Sequence, residues 1–142
     1  MNGYVLIDWD EGVFALQGRW IASAGVDGKP FNFQTPPLYQ ALVGLIFKIG
    51  GPNPIFLPVL ALIFSVLTLY ALYYYGRKIY DEQTALAAIA VFITSEFFLF
   101  FSRSGLSEAV FLLFFWSAFA SFLVGLGTGR RRIHRDQLRR RA

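Results

Sequence analysis

Three long apolar stretches constrain the fold of this chain more than any other feature of its sequence. They run over residues 55–75, 84–101 and 106–126, and each contains at most one acidic residue and no basic residue. A helix that crosses the hydrocarbon core of a bilayer needs about 20 such residues. The chain is also 56% hydrophobic and only 15% charged, whereas soluble domains are about a quarter charged. The sequence therefore predicts an all-α membrane protein with about three transmembrane helices.

Two shorter helices are predicted ahead of these spans. Apolar residues recur at near-helical spacing over residues 11–22, and Asp10 is well placed as the N-cap of that helix. A second helix is expected over residues 38–49, because the prolines just before it are tolerated in a first turn. Twelve residues rise only about 18 Å, which is too short for a bilayer core of about 30 Å, so this helix is expected to be interfacial or re-entrant. We therefore expect an external loop with two interfacial amphipathic helices (residues 1–53), transmembrane helices (54–127) and a basic cytoplasmic tail (128–142).

Basic residues in the connecting segments predict the orientation in the membrane. Arg77 and Lys78 follow the first span, and the arginine cluster from Arg130 to Arg141 follows the third. Loops that are rich in Lys and Arg stay on the cytoplasmic side. We therefore expect these two groups to face the cytoplasm, and the segment 1–53 and the connector with Arg103 to lie outside the plasma (inner) membrane.

The positive charge belongs to the tail and not to the chain as a whole. Residues 128–142 carry seven Arg and one Asp, whereas the other residues carry six basic and eight acidic groups. Such a tail is attracted to the anionic lipid of the bilayer. No aromatic side chain lies among its arginines to stack on bases, so no nucleic-acid partner is expected. The absence of cysteine and the single histidine, His134, argue against a classical zinc site.

Charged residues near the predicted external ends of the spans are the candidates for chemistry. Asp10 is able to act as a general base towards an acceptor hydroxyl, and Glu11 to bind the acceptor or a divalent cation. The plainer interpretation of this pair is a helix cap with an acidic first turn. Arg103 either binds a phosphate or anchors its turn at the headgroups. Glu96 and Glu108 either face a cavity or extend to the membrane interface.

Three stretches of the chain, taken in order, resemble a family of membrane enzymes. They are DWDEGVFALQGRWIASAG, PFNFQTPPLYQALVGLIFKIGG and FSRSGLSEAVFLLFFWSAF. This order resembles the membrane glycosyltransferases of the C-type fold that are related to protein O-mannosyltransferases and lipid A aminoarabinose transferases. The residues that carry the resemblance are Asp10-Glu11, Phe33 to Tyr39, Ser102-Arg103 and Leu106 to Ala109.

The resemblance implies a reaction and roles for four residues. A sugar would move from a polyprenyl-phosphate donor to an acceptor hydroxyl on the external face, with inversion of the anomeric centre. Asp10 would be the catalytic base, and Glu11 would support the base or the acceptor. Arg103 and Glu108 would lie near the donor phosphate and bind substrate. The sugar, the acceptor (a glycan, a lipid or a protein) and a requirement for a divalent cation stay open.

Two features of the chain depart from the family pattern. Many relatives carry Glu-Lys before the two prolines, where this chain has Gln34-Thr35 and so lacks that positive charge. Relatives are also longer and have more spans, so we expect a fragment of the enzyme that is inactive by itself.

The alternative function is a non-catalytic small helical membrane subunit, and a transporter is a weaker alternative. Small residues suited to helix packing support the subunit interpretation; they are Ala85, Ala87, Ala88 and Ala90.

Overall fold

The part of the chain that the structure describes is helical, as the sequence predicts. The computed structural model describes residues 8–30 and 36–139, with side chains up to residue 127, and this part contains six helices and no strand. The helices are α1 (Trp9–Ala22), α2 (Pro37–Gly50), α3 (Phe56–Ile79), α4 (Glu82–Ile93), α5 (Glu96–Phe101) and α6 (Glu108–Arg139). The departure at Gln34-Thr35 and the start of the Phe33 to Tyr39 segment lie outside the described residues.

The first helix is capped by Asp8, and the prediction that Asp10 is the N-cap is wrong. The Asp8 backbone is extended, and its carboxylate accepts a hydrogen bond from the backbone N–H of Asp10 at 3.2 Å. Asp10 and Glu11 both lie inside the first turn, where their charges stabilise the positive end of the helix dipole. Either aspartate has the chemistry of a cap. The choice depends on where the backbone leaves the helical conformation.

Two glycines let α1 and α2 pack closely against each other. Gly18 faces Val43, and Gly44 faces Ile21, so closely that a Cβ atom on either glycine would overlap the facing side chain. A helix pair in such close contact has little freedom to slide or rotate. The contact therefore fixes the acidic first turn of α1 relative to α2.

We expect Gly44→Ala to destabilise the protein by about 1–3 kcal/mol, because overpacking would push Ile21 and α1 away from α2. Gly127→Ala is the matched control, since nothing lies within 4 Å of the methyl group that it adds. Thermal unfolding in detergent, followed by circular dichroism, measures both variants. Equal melting temperatures would contradict the close contact of α1 with α2.

The central helix is α3, which packs along both α6 and α4. The buried core lies at the N-terminal ends of α3 and α6, where α1 and α2 cover them. Its residues are Phe14, Tyr39, Val43, Phe47, Leu57, Leu60, Leu106 and Val110. Farther along the same pair of helices, the hydroxyl groups of Tyr75 and Ser121 share a hydrogen bond of 2.7 Å. The core thus lies at the end of the helices where α5 connects to α6.

Among the described residues, two helices are long and apolar enough to cross a membrane. They are α3 and the first part of α6, Glu108–Gly127. Only 33% of the most apolar window of α3, and 17% of that of α6, is buried inside the protein. An exposed apolar surface of this extent needs a nonpolar environment. The length and the exposure of these helices therefore match the predicted membrane spans.

The remaining predicted span, residues 84–101, consists of two consecutive helices. The Thr94 hydroxyl donates to the carbonyls of Ala90 and Val91 at 3.1 and 3.0 Å in the last turn of α4, and the Ser95 backbone is extended. Hydroxyl side chains of this kind compete with the hydrogen bonds of a helix. Neither α4, with 12 residues, nor α5, with 6, is long enough to span alone.

Polar side chains hold the connector between α3 and α4. Asp81 caps α4, because its carboxylate accepts hydrogen bonds from the backbone N–H of Thr84 at 2.8 Å and from the Thr84 hydroxyl at 2.9 Å. These bonds stabilise the charged carboxylate and lower the pKa of Asp81. Arg77 lies over the ring of Tyr73 and 3.8 Å from Glu82. Such charged and aromatic groups are typical of a membrane interface.

Candidate functional site

Residues 102–107 connect α5 to α6, and we call them the α5–α6 turn. The backbone N–H of Ser102 donates to the carbonyl of Phe98 at 2.9 Å, and its hydroxyl donates to that of Leu99 at 3.0 Å. Ser102 and Ser104 are buried, whereas Arg103 between them is exposed. Ser102 therefore anchors the turn, and the side chain of Arg103 is accessible to a phosphate or a lipid headgroup.

Gly105, in the same turn, is held at both of its backbone polar groups by the first two helices. Its N–H donates to Oε1 of Glu11 in α1, and its carbonyl accepts a hydrogen bond of 2.7 Å from the hydroxyl of Tyr39 in α2. Glu11 and Tyr39 are 0% and 1% exposed. Gly105 also lies so close to Leu57 of α3 that a Cβ atom there would overlap it. Three helices therefore position this one residue.

The two neighbouring acidic residues have different environments. Asp10 is exposed, whereas Glu11 is fully buried in its contact with the α5–α6 turn. The structure thus brings the acidic first turn of α1 beside the turn that carries Arg103. Of the two carboxylates, only that of Asp10 is accessible from solvent.

An open cavity of about 690 Å³ lies beside the α5–α6 turn. It is lined by Thr94, Glu96, Phe97, Leu99, Phe100, Phe101, Arg103 and Ser104. The cavity thus joins two of the predicted polar residues, Glu96 and Arg103, on one concave surface with a wall of phenylalanines. Asp10 and Glu108 are not among its described lining residues. A cation beside an apolar wall is suited to an amphiphile with an anionic head.

Two buried polar atoms in this region have no hydrogen-bond partner among the described residues. They are Oγ of Ser104 and Oε2 of Glu108. An unpaired buried polar atom costs about 1–3 kcal/mol, and native proteins usually satisfy such atoms with water or a ligand. Since Ser104 also lines the cavity, it joins Arg103 as a candidate for ligand contact.

The sequence predicted no functional role for Tyr39, Ser104 or Gly105, although Tyr39 ends one of the motifs that carry the resemblance. A buried tyrosine hydroxyl usually has a hydrogen-bond partner. Tyr39 lies at the start of an apolar helix, so the sequence indicates that its hydroxyl is bonded to some group. Its partner, however, is 66 residues away along the chain, and nothing local in the sequence identifies it. Glu11 has the same property, because its contact with Gly105 spans 94 residues.

The described residues do not contain a ready cluster of metal ligands. Among residues 8–30 and 36–127, no three His, Asp or Glu side chains lie close enough together to hold a metal ion. Asp10 is exposed, whereas Glu11 is buried and accepts a hydrogen bond from the backbone N–H of Gly105. The pair therefore does not present two carboxylates to one ion on the solvent side.

The described residues form helices only, and two of these are apolar, largely exposed and long enough to cross a lipid bilayer. Residues 34–133 match the model of the dolichyl-phosphate-mannose-protein mannosyltransferase family. The chain therefore belongs to this family of integral membrane glycosyltransferases, as its resemblance predicted. The matched range includes Tyr39, Arg103 and Glu108 and begins after Asp10 and Glu11. Comparison with curated proteins and with solved structures gave no significant match.

Proposed function

We propose that the protein transfers a sugar from a polyprenyl-phosphate donor to an acceptor hydroxyl at the external membrane face, with inversion of the anomeric centre. The observation that carries this proposal is the hydrogen bond from Gly105 to Glu11. It joins the helical turn that carries Asp10 to the turn that carries Arg103. A base for the acceptor and a cation for the donor thus belong to one assembled unit, and the family match supports a lipid-phosphate-linked donor.

In the proposed reaction, Asp10 removes the proton from the acceptor hydroxyl. The hydroxyl oxygen attacks the anomeric carbon, and the bond between that carbon and the phosphate oxygen breaks on the opposite side. The sugar is thereby inverted, and the polyprenyl phosphate leaves with the electron pair. Exposure of Asp10 supports this role, because a general base must come within about 3 Å of the proton that it takes.

In the same proposal, Arg103 binds the donor phosphate and stabilises its negative charge as it leaves. A guanidinium forms two parallel hydrogen bonds with phosphate oxygens. The phenylalanines of the cavity beside Arg103 offer an apolar surface to the first part of the prenyl chain. Glu108, which begins α6, binds the substrate through sugar hydroxyls, since carboxyl oxygens accept hydrogen bonds.

A transfer assay tests the reaction. Membranes that contain the protein expressed from its intact gene are incubated with polyprenyl-phosphate mannose carrying a radiolabel in the sugar. We expect label in an acceptor, with the anomeric configuration opposite to that of the donor, as determined with linkage-specific mannosidases. Retained configuration would contradict the proposed single displacement. Correct membrane insertion with neither transfer nor donor binding would favour the non-catalytic subunit.

The proposed orientation has its own test. Val26, which is 87% exposed, lies between α1 and α2; Gln83 is exposed near the start of α4. The protein has no natural cysteine, so Val26→Cys and Gln83→Cys each create a single thiol. We expect an impermeant maleimide to label residue 26 in intact cells and residue 83 only after the cells are opened. The reverse pattern would place Asp10 in the cytoplasm and contradict the proposed external reaction.

A further inference from the structure

We propose that Glu11 and Tyr39 are positioning residues that hold the α5–α6 turn, and that neither of them reacts with substrate. We call the contacts of these two side chains with Gly105 the Gly105 clasp. The inference rests on the proposed function, because the turn that the clasp holds carries Arg103. It assigns different roles to the two adjacent carboxylates, with Asp10 as the base and Glu11 as the support.

The geometry of the clasp restrains the backbone in two directions. The N–H of Gly105 belongs to the peptide plane shared with Ser104, and the carbonyl to the plane shared with Leu106. Glu11 holds the first plane, and Tyr39 holds the second. Rotation about the backbone of Gly105 would break at least one of these bonds. The turn therefore has a single backbone arrangement as long as both side chains stay bonded.

Packing closes the remaining side of the clasp. Leu57 lies against Gly105 at a distance that leaves no room for a Cβ atom. The rings of Tyr39 and of Phe14 in α1 are nearly perpendicular, with ring centroids 4.9 Å apart. Tyr39 is thus fixed by the same helix that carries Glu11. Because Arg103 is two residues from Gly105, any shift of the clasp moves the proposed phosphate-binding residue.

Burial separates Glu11 from the chemistry. A base must make a hydrogen bond with the substrate hydroxyl, yet Glu11 is 0% exposed and one of its oxygens accepts the Gly105 N–H. What the clasp requires of this residue is an oxygen acceptor at the right place. A glutamine has such an oxygen on a side chain of the same length. The bond to Gly105 therefore needs an oxygen acceptor and not a negative charge, whereas a general base needs the charge.

The decisive comparison is between Glu11→Gln, Glu11→Ala and Tyr39→Phe. We expect Glu11→Gln to keep transfer within about threefold of the wild type, because its amide oxygen still accepts the Gly105 N–H. Glu11→Ala and Tyr39→Phe each leave a backbone group of Gly105 unpaired, and both should raise KM for polyprenyl-phosphate mannose about tenfold. In the double variant Glu11→Ala/Tyr39→Phe, this KM should rise by less than the product of the two single increases, because both substitutions act on one turn.

A labelling experiment tests whether the clasp holds the turn, and it does not depend on sugar transfer. Ser102→Cys places the only thiol of the protein at a position in the α5–α6 turn that is 8% exposed. We expect maleimide to react about ten times faster at this thiol when Glu11→Ala or Tyr39→Phe is added, and at an unchanged rate with Glu11→Gln. Ala120→Cys, at a buried position of α6, is the folding control. It should stay slow to react in every variant.

The outcomes distinguish the two proposals. If Glu11→Gln abolishes transfer while the labelling rate at residue 102 stays unchanged, Glu11 takes part in the chemistry and the inference is overturned. Unchanged labelling with Glu11→Ala and Tyr39→Phe also overturns it, because the turn would then not depend on the clasp. If the labelling pattern is as expected but the wild type transfers no sugar, the clasp stands and the proposed function falls.

Discussion

Asp10→Asn is expected to lower kcat for sugar transfer by about 10²–10⁴-fold, which is the usual contribution of a general base. The amide has nearly the shape of the carboxylate but takes up no proton at neutral pH. Asp10 is exposed in the first turn of α1, and the cap that begins the helix is provided by Asp8. The substitution should therefore leave α1 and membrane insertion intact. The loss should appear in kcat and not in the amount of folded protein.

Asp27→Asn is the matched control for this prediction. Asp27 is an exposed carboxylate of the same N-terminal segment, and it pairs with Arg19. Exposed ion pairs contribute little stability, so transfer should stay within about twofold of the wild type. Transfer is measured with radiolabelled polyprenyl-phosphate mannose, and the amount of inserted protein is measured in the same membranes. Undiminished turnover in Asp10→Asn would show that another group accepts the proton.

The second large effect is expected for Arg103→Ala, which should weaken donor binding about 10–100-fold, as expected for the loss of a hydrogen-bonded charge pair. Arg103 is exposed, and it lines the cavity beside the α5–α6 turn. Its removal should therefore leave the fold unchanged. Arg103→Lys should recover only part of the loss, since an ammonium group does not form the two parallel bonds of a guanidinium.

Donor binding is measured as the KM for polyprenyl-phosphate mannose, with the acceptor at saturation. Lys48→Ala is the control, because it removes an exposed positive charge near the end of α2, and its KM should match that of the wild type. An unchanged KM in Arg103→Ala would show that this residue does not bind the donor. It would favour the alternative in which Arg103 anchors its turn. An equal rise in both variants would indicate a general effect of surface charge.

The helices of the N-terminal segment were predictable because their signals are local. The apolar spacing over residues 11–22 and the prolines before residue 38 predicted two helices, which the structure has as Trp9–Ala22 and Pro37–Gly50. The error at Asp10 arose because two aspartates, two positions apart, offer the same capping chemistry. The break at Thr94-Ser95 was missed because composition shows an unbroken apolar run, whereas the hydroxyl of Thr94 bonds back to the preceding turn.

The site was predicted less completely than the helices. The order of motifs identified the family. The site residues that the resemblance implies, Asp10, Glu11, Arg103 and Glu108, stay predictions. The contacts of Ser104, Gly105 and Tyr39 came only from the structure, because they depend on a cavity and on hydrogen bonds between helices. A cavity is a property of how helices meet, and no local pattern in the chain encodes its position.

The amino-acid sequence alone determined that this chain is helical, that its long helices suit lipid, and that it belongs to a family of membrane glycosyltransferases. Those properties depend on apolar length, on spacing and on the order of short motifs, which neighbouring residues carry. Only the tertiary structure decided that Asp10 is exposed while Glu11 is buried. The reason is physical: the partner of Glu11 is the backbone of Gly105, which is 94 residues away along the chain and reaches it only when α1, α2 and α3 have packed together.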